Sequence, residues 1–139
     1  MHDQLTSRLY SRLNAYADLA ASLDDDILHR TINVPKHKSL AEHLWCVVGA
    51  RESYAKAIEA GSWDGFSCSM DSFTAADFKT KLAESDVQVR NAVSGVDSWS
   101  DEQKELLITL AEHEVMHEGQ IIRHMYALEL ELPESWTWA

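Results

Sequence analysis

Residues 100–128 read SDEQKELLITLAEHEVMHEGQIIRHMYAL, and this stretch predicts one long amphipathic helix. Ser100 and Gln103 have the spacing of a capping box, in which each side chain satisfies a free backbone N–H group at the helix start. Residues at helical spacing then mark one inner face: Leu106, Leu107, Leu110, His113, His117, Ile121, Met125 and Leu128. We expect this helix to continue to Pro133, which cannot extend a helix.

Three earlier segments show the same periodicity. The first predicted helix runs from about Asp3 to Leu23, the second from Ser39 to Gly61 and the third from Thr74 to Gly95. Each carries its apolar residues on one face, which must be buried against another element. Four one-sided helices bury each other most simply in a four-helix bundle. We therefore predict an all-α fold in which residues 1–139 form a single domain.

The composition of the chain disfavours nucleic-acid-binding, secreted and membrane-spanning proteins. The chain has 23 acidic and 12 basic residues, and its net charge of -11 would repel the phosphates of a nucleic acid. The sequence contains no signal-peptide pattern and no apolar run of about eighteen residues that could span a membrane. Cys46 and Cys68 have neither disulfide-framework nor metal-finger spacing. We expect a cytoplasmic protein without nucleic-acid or membrane partners.

Three histidines on inner faces predict a metal site. His113 and His117 are four residues apart, so on a helix their rings point in similar directions, one turn apart. His43 lies on the apolar side of the second helix, beside Leu40 and Leu44. Three imidazoles suit a borderline divalent ion, with zinc or nickel ahead of iron or copper. The alternative is that each ring is a core residue hydrogen-bonded to a carbonyl or carboxylate.

The metal-site hypothesis constrains the topology. His43 lies near the start of the second helix, whereas His113 and His117 lie about 18 to 24 Å along the fourth. The three rings can meet only if these two helices are antiparallel. The short connection 95–100 makes the third and fourth helices antiparallel, so the long connection 61–72 must cross over between parallel second and third helices. The predicted topology is up-down-down-up.

Glu114 completes HEVMH at residues 113–117, which has the H-E-x-x-H form of zinc proteases. In those enzymes the glutamate activates a water on the metal. Here no strand pattern exists to hold a peptide, and the surrounding segment reads as a bundle helix throughout. The sequence therefore disfavours a protease.

Other cysteine and histidine residues receive simpler interpretations. Cys46 follows His43 by one turn and is expected to be a small core residue. His124 lies about 10 Å beyond His117 along the helix, too far to bind the same ion. The remaining histidines are expected to be exposed: His2, His29 and His37.

The chain resembles the DinB/YfiT-like superfamily of bacterial metalloenzymes along essentially its whole length. The resemblance is carried by KSLAEHLW at 38–45, by HEVMHEGQI at 113–121 and by the closing pair 132–133, Leu-Pro. It implies His43, His113 and His117 as metal ligands, with Gly119–Gln120 continuing the motif. It also implies a four-helix bundle with long crossover connections, and a homodimer.

Two functional hypotheses remain open. The activities ascribed to the superfamily imply metal-dependent transfer of low-molecular-weight thiols or a thiol-dependent isomerisation. The substrate would then be a small molecule. The enzyme would be a thiol transferase or a related hydrolase. Three protein ligands leave open positions for water or a thiolate, as catalytic sites require. The rival is a non-catalytic bundle that binds metal for stability or regulation, or binds none, and serves as a dimeric interaction module. The catalytic residues stay unassigned.

Overall fold

Helices packed against one another make up the fold, here a computed structural model that describes the backbone of residues 2–137 and the side chains of residues 3–137. The helices are α1 (His2–Ala21), α2 (Asp25–His29), α3 (Leu40–Ala60), α4 (Ala75–Ser94) and α5 (Asp101–Ala127), followed by a 3₁₀ turn at Glu134–Trp136. No strand occurs in this part of the chain, so the all-α prediction is confirmed. None of the described helices is long and apolar enough to cross a membrane.

α3 and α4 begin and end, and α5 begins, where local chemistry predicts. Ser39, Thr74 and Ser100 precede α3, α4 and α5, and each side chain accepts a hydrogen bond from the backbone N–H three residues on. Ser100 forms a full capping box with Gln103. Gly61 follows α3 with φ 80°, a left-handed conformation that glycine adopts without steric cost. The predicted limits of the second and third helices are confirmed.

The predicted end of the last helix was wrong. α5 stops at Ala127 rather than continuing to Pro133. Glu129 adopts φ 56°, and the Leu130 N–H turns back to the Met125 carbonyl at 3.0 Å. A left-handed residue just after a helix satisfies the last carbonyls in this way and redirects the chain. Glutamate is an uncommon choice there, so the sequence carried no glycine signal for the stop.

The segment beyond α5 returns to the core through Trp136. Its side chain is fully buried, and its Nε1–H donates to the Ala15 carbonyl of α1 at 2.6 Å. The indole also meets the Tyr16 ring edge-on, with 5.0 Å between centroids. The described end of the chain is therefore held against α1 by an aromatic anchor.

The apolar core forms two clusters along the bundle. One includes Leu44 near the start of α3 and Ile121 near the end of α5, and the other includes Ile58 near the end of α3 and Leu107 near the start of α5. α3 packs against both α4 and α5, and α1 packs against the same two helices. Buried polar side chains lie between the two clusters, and the candidate site is built there.

The α3–α4 loop, residues 61–74, lies along α3 and is bonded to it. The Ser53 hydroxyl donates to the Ser67 carbonyl at 3.0 Å and accepts the Ser67 N–H at 2.9 Å. The Ser69 N–H bonds the Glu52 carboxylate at 3.2 Å. These contacts give the loop a defined path even though it has no regular secondary structure.

Gly49 marks a close approach of the α3–α4 loop to α3. A Cβ at this position would clash with the Phe66 ring and lie 2.9 Å from the Cys68 Cβ. We expect Gly49→Ala to destabilise the protein by about 1–2 kcal/mol, despite the better helix propensity of alanine. Gly119→Ala is the matched control, because a Cβ there meets nothing within 4 Å; it should stabilise by roughly 0.5–1 kcal/mol. Equal shifts in chemical denaturation would contradict the close approach.

Candidate metal centre

His43 and His117 are in direct contact inside the bundle. Both side chains are 3% exposed, and their Nδ1 atoms lie 2.9 Å apart. The ring centroids are 5.2 Å apart, with an interplanar angle of 75°. One Nδ1 must therefore carry a proton and donate it to the other. An early residue of α3 thus meets a residue from the second half of α5.

His113 lies beside this pair. Its ring centroid is 4.4 Å from that of His117, and the side chain is partly buried. Its Nδ1 is buried and has no hydrogen-bond partner. Because buried polar atoms normally have a partner, this nitrogen is a candidate to bind something else. The structure brings together all three rings that the sequence singled out.

Burial keeps these three rings neutral. Desolvation, with a smaller contribution from the nearby charge of Lys38, lowers the pKa of His43 from 6.5 to about 4. Desolvation and, to a smaller extent, the neighbouring His113 and His43 together lower the pKa of His117 to about 3. The pKa of His113 is lowered mainly by burial. Neutral imidazole is the form that binds metals, so at neutral pH the site offers lone pairs rather than positive charge.

The ring orientations differ from those of a ligand set. Among the described residues, no three histidine, cysteine, aspartate or glutamate side chains are arranged to hold one metal ion. His43 and His117 are instead bonded to each other at 2.9 Å, whereas two nitrogens on a tetrahedral zinc lie about 3.3 Å apart. Metal binding would require this hydrogen bond to open and the rings to turn toward one point. The donor types suit a divalent ion, whereas the present arrangement of the rings does not.

A second histidine pair lies near the first, and sequence reasoning missed it. His37 Nε2 and His124 Nδ1 are 2.8 Å apart. His124 is fully buried and its Nε2 has no hydrogen-bond partner. The expectation that His37 is exposed was wrong, because residues 30–39 bring its partly buried ring back onto α5. The seven-residue spacing of His117 and His124, which places both on one helix face, was the available signal.

Two further expectations concern residues around the site. Cys46 is free and only partly buried, and its Sγ lies 3.6 Å from the Lys38 Nζ. It therefore sits at the margin of the core rather than inside it. His29 is exposed, as expected, and its Nε2 is 2.9 Å from the Phe73 carbonyl. The expectation for His2 falls outside the described side chains.

Glu114 is engaged by Arg51. The guanidinium donates to both carboxylate oxygens, at 2.7 and 2.9 Å, and the two side chains are at most 1% exposed. The Tyr16 hydroxyl donates to the Glu114 carbonyl at 3.0 Å, and Arg51 lies over the Tyr16 ring at 5.0 Å. A carboxylate paired in this way is not free to activate water, as the glutamate of H-E-x-x-H proteases must. Instead, it links α5 to α3 close to His117.

A groove of about 480 Å³, which we call the histidine groove, opens beside the histidines. His37 and His43 line one side of it, and the other side is formed by exposed residues of α5: Val115, Met116, Gly119, Gln120 and Arg123. A larger groove of about 740 Å³ lies between α1 and α5, but no histidine is among its lining residues. We assign the candidate site to the smaller groove, because the titratable groups converge there and its size suits a small molecule.

Comparison with known proteins assigns no family. No protein-family model matches the chain, and a search of curated proteins finds no match either. The likeness to the DinB/YfiT-like superfamily therefore stays a prediction from the residues that carry it.

Proposed function

We propose that this protein is a metal-dependent enzyme of the DinB/YfiT-like kind, in which His43, His113 and His117 hold one divalent ion, zinc or nickel. The observation that carries the proposal is the contact of three largely buried imidazoles next to an open groove. An ion bound there supplies a Lewis acid that lowers the pKa of a coordinated thiol or water. The proposed reaction is transfer of a low-molecular-weight thiol, with a related hydrolysis as the alternative.

The proposed topology is up-down-down-up, with the α3–α4 loop as its crossover connection. Contacts between α3 and α5 support an antiparallel pair. Residues further along α3 contact residues that lie earlier along α5. These contacts are His43 with His117, Arg51 with Glu114, and Ile58 with Gln103. The short connection between α4 and α5 supports antiparallel packing of those two helices as well.

Two features of the protein support this proposal: an ion pair that positions His117 and a groove that gives access to the site. The Arg51–Glu114 ion pair ties α5 to α3 three residues before His117, and so restricts where the His117 ring stands relative to His43. The histidine groove connects the His43 side of this contact with solvent. Both cysteines are free, which suits the reducing cytoplasm proposed for this protein.

Metal analysis tests the site directly. We expect the full chain, loaded with zinc or nickel and dialysed, to retain one ion per chain. His117→Ala should weaken binding by about a hundredfold or more, because two imidazoles hold a divalent ion far less tightly than three. His29→Ala is the control, since that exposed histidine lies outside the cluster. Retention of the ion by His117→Ala, with its helical circular dichroism unchanged, would contradict the site.

A non-catalytic dimeric bundle is the second candidate. It is favoured by the larger groove between α1 and α5, whose lining includes Leu5 and two exposed apolar residues, Val115 and Met116. Exposed apolar patches of this kind often mark contacts with another protein. Incubating metal-loaded protein with a panel of small thiols and electrophiles, and following conjugates by mass, separates the two candidates. Absence of any metal-dependent product, together with a dimer in solution, would favour the interaction module.

A further inference from the structure

The histidine groove contains a positive charge that the proposed metal site does not use. Arg123 stands at its edge, exposed, and makes no ion pair with any residue from 3 to 137. No acidic side chain is among the described lining residues of the groove. In a chain of net charge -11, the groove therefore offers an anionic ligand one cation and no carboxylate among its lining residues.

Arg123 lies on the same exposed stripe of α5 as the rest of the groove wall. Met116, Gly119, Gln120 and Arg123 follow one another at helical spacings of three, one and three residues, which places them on one face. Arg123 is six residues beyond His117, or about 9 Å along the helix axis. Side chains on a helix in general lean toward its N-terminus, which is the Gly119 side of Arg123. A ligand that bridges Arg123 and the histidines therefore needs a span of about 9 Å or less.

The space between the charge and the histidines is open. Gly119 has no side chain, and a Cβ there would meet nothing within 4 Å. Val115 and Met116, 44% and 48% exposed, offer an apolar wall at the histidine end. An apolar wall, an open floor and one cation together complement a small molecule with a short apolar arm and an anionic end.

We propose that the histidine groove selects small molecules that carry a carboxylate, which pairs with Arg123 while the other end of the molecule reaches His43, the histidine of the proposed metal site that lines the groove. A planar guanidinium suits this role, because its N–H groups match the two oxygens of a carboxylate. The reaction at the histidine end rests on the proposed metal-dependent function. Recognition of the carboxylate by Arg123 does not, so the two can fail separately.

The test compares two thiols of similar size, one ending in a carboxylate and the other in a neutral amide. The full chain loaded with Co²⁺ is titrated with 3-mercaptopropionate and with 3-mercaptopropionamide, and the sulfur-to-cobalt charge-transfer absorption gives each Kd. We expect the acid to bind about fivefold more tightly than the amide, a gain typical of a partly exposed charge-assisted pair. Arg123→Gln should abolish this preference, whereas Arg8→Gln, which removes an exposed cation from α1, should retain it. Equal binding of both thiols by the wild type, or a preference that survives Arg123→Gln, overturns the proposal.

A second variant and a metal-free arm separate the possible failures. Gly119→Leu fills the floor of the groove and should weaken both thiols by about tenfold or more; unchanged binding would place the ligand elsewhere and overturn the proposal. If Co²⁺ does not bind, the proposed metal-dependent function fails. The carboxylate preference is then read on metal-free protein, from the Arg123 side-chain N–H resonance during the same two titrations. A shift with the acid and none with the amide supports the groove assignment, and equal responses contradict it.

Discussion

Replacing Arg51 by methionine is expected to reduce the free energy of unfolding by about 3–5 kcal/mol. The guanidinium and the Glu114 carboxylate are both almost fully buried and bonded through two short contacts. Burial by itself would lower the pKa of Arg51, but the charge and hydrogen bonds of Glu114 outweigh this and raise it. Removing the arginine leaves a buried carboxylate without its counter-charge, and such a group is far more costly than the loss of one contact.

The double variant Arg51→Met/Glu114→Leu tests whether the two buried charges stabilise each other. With neither charge present, stability should return to within about 1–2 kcal/mol of the wild type, well short of the sum of the two single effects. The exposed pair Arg30 and Asp26 provides the control; Arg30→Met should change stability by less than about 1 kcal/mol. Denaturation midpoints at unchanged m-value measure these three variants and the single variant Glu114→Leu. Additive losses in the double variant would show that the two charges do not depend on each other.

Acidification from about pH 7.5 to pH 5 is expected to remove roughly 3–4 kcal/mol from the stability of the chelator-treated protein. The folded pKa values of His43 and His117, about 4 and about 3, lie below the unfolded value of 6.5. As the pH falls below about 6.5, the unfolded chain binds protons at these positions and the folded chain does not. The folded protein therefore has its full stability above about pH 6.5. It loses stability as the pH falls from there toward the folded pKa values of the two histidines.

The histidine origin of this pH dependence can be checked by substitution. The double variant His43→Gln/His117→Gln should show a much flatter stability profile between pH 7.5 and pH 5. His29→Gln, which changes an exposed ring, should follow the wild type. Urea denaturation at each pH, with chelator present throughout, measures the profiles. A double variant as steep as the wild type would assign the acid sensitivity to groups other than this pair.

Local features of the fold were predictable from the sequence because their causes lie within a few residues. The caps at Ser39, Thr74 and Ser100 each involve a side chain and a backbone N–H three positions on. The inward direction of His43, His113 and His117 follows from their helical spacing among apolar neighbours. The end of α5 escaped prediction, because Glu129 adopts a left-handed conformation that its residue type does not signal.

Contacts between distant residues needed the tertiary structure. Arg51 and Glu114 are separated by 63 positions, and His37 and His124 by 87. No local pattern distinguishes a buried ion pair from two solvated charges on a helix, since each partner becomes stable in the core only through the other. The same holds for the histidine groove, which forms where His37 and His43 meet the exposed stripe of α5.

The long amphipathic stretch at 100–128 thus determined by itself a helix, its start at Ser100 and the shared face of His113 and His117, because helical periodicity is a property of consecutive residues. Only the tertiary structure decided which groups those side chains meet. Because α5 packs against α3, Glu114 pairs with Arg51 and His117 contacts His43. Each of these choices depends on which surfaces are buried together, and that is settled by the whole chain rather than by any one segment of it.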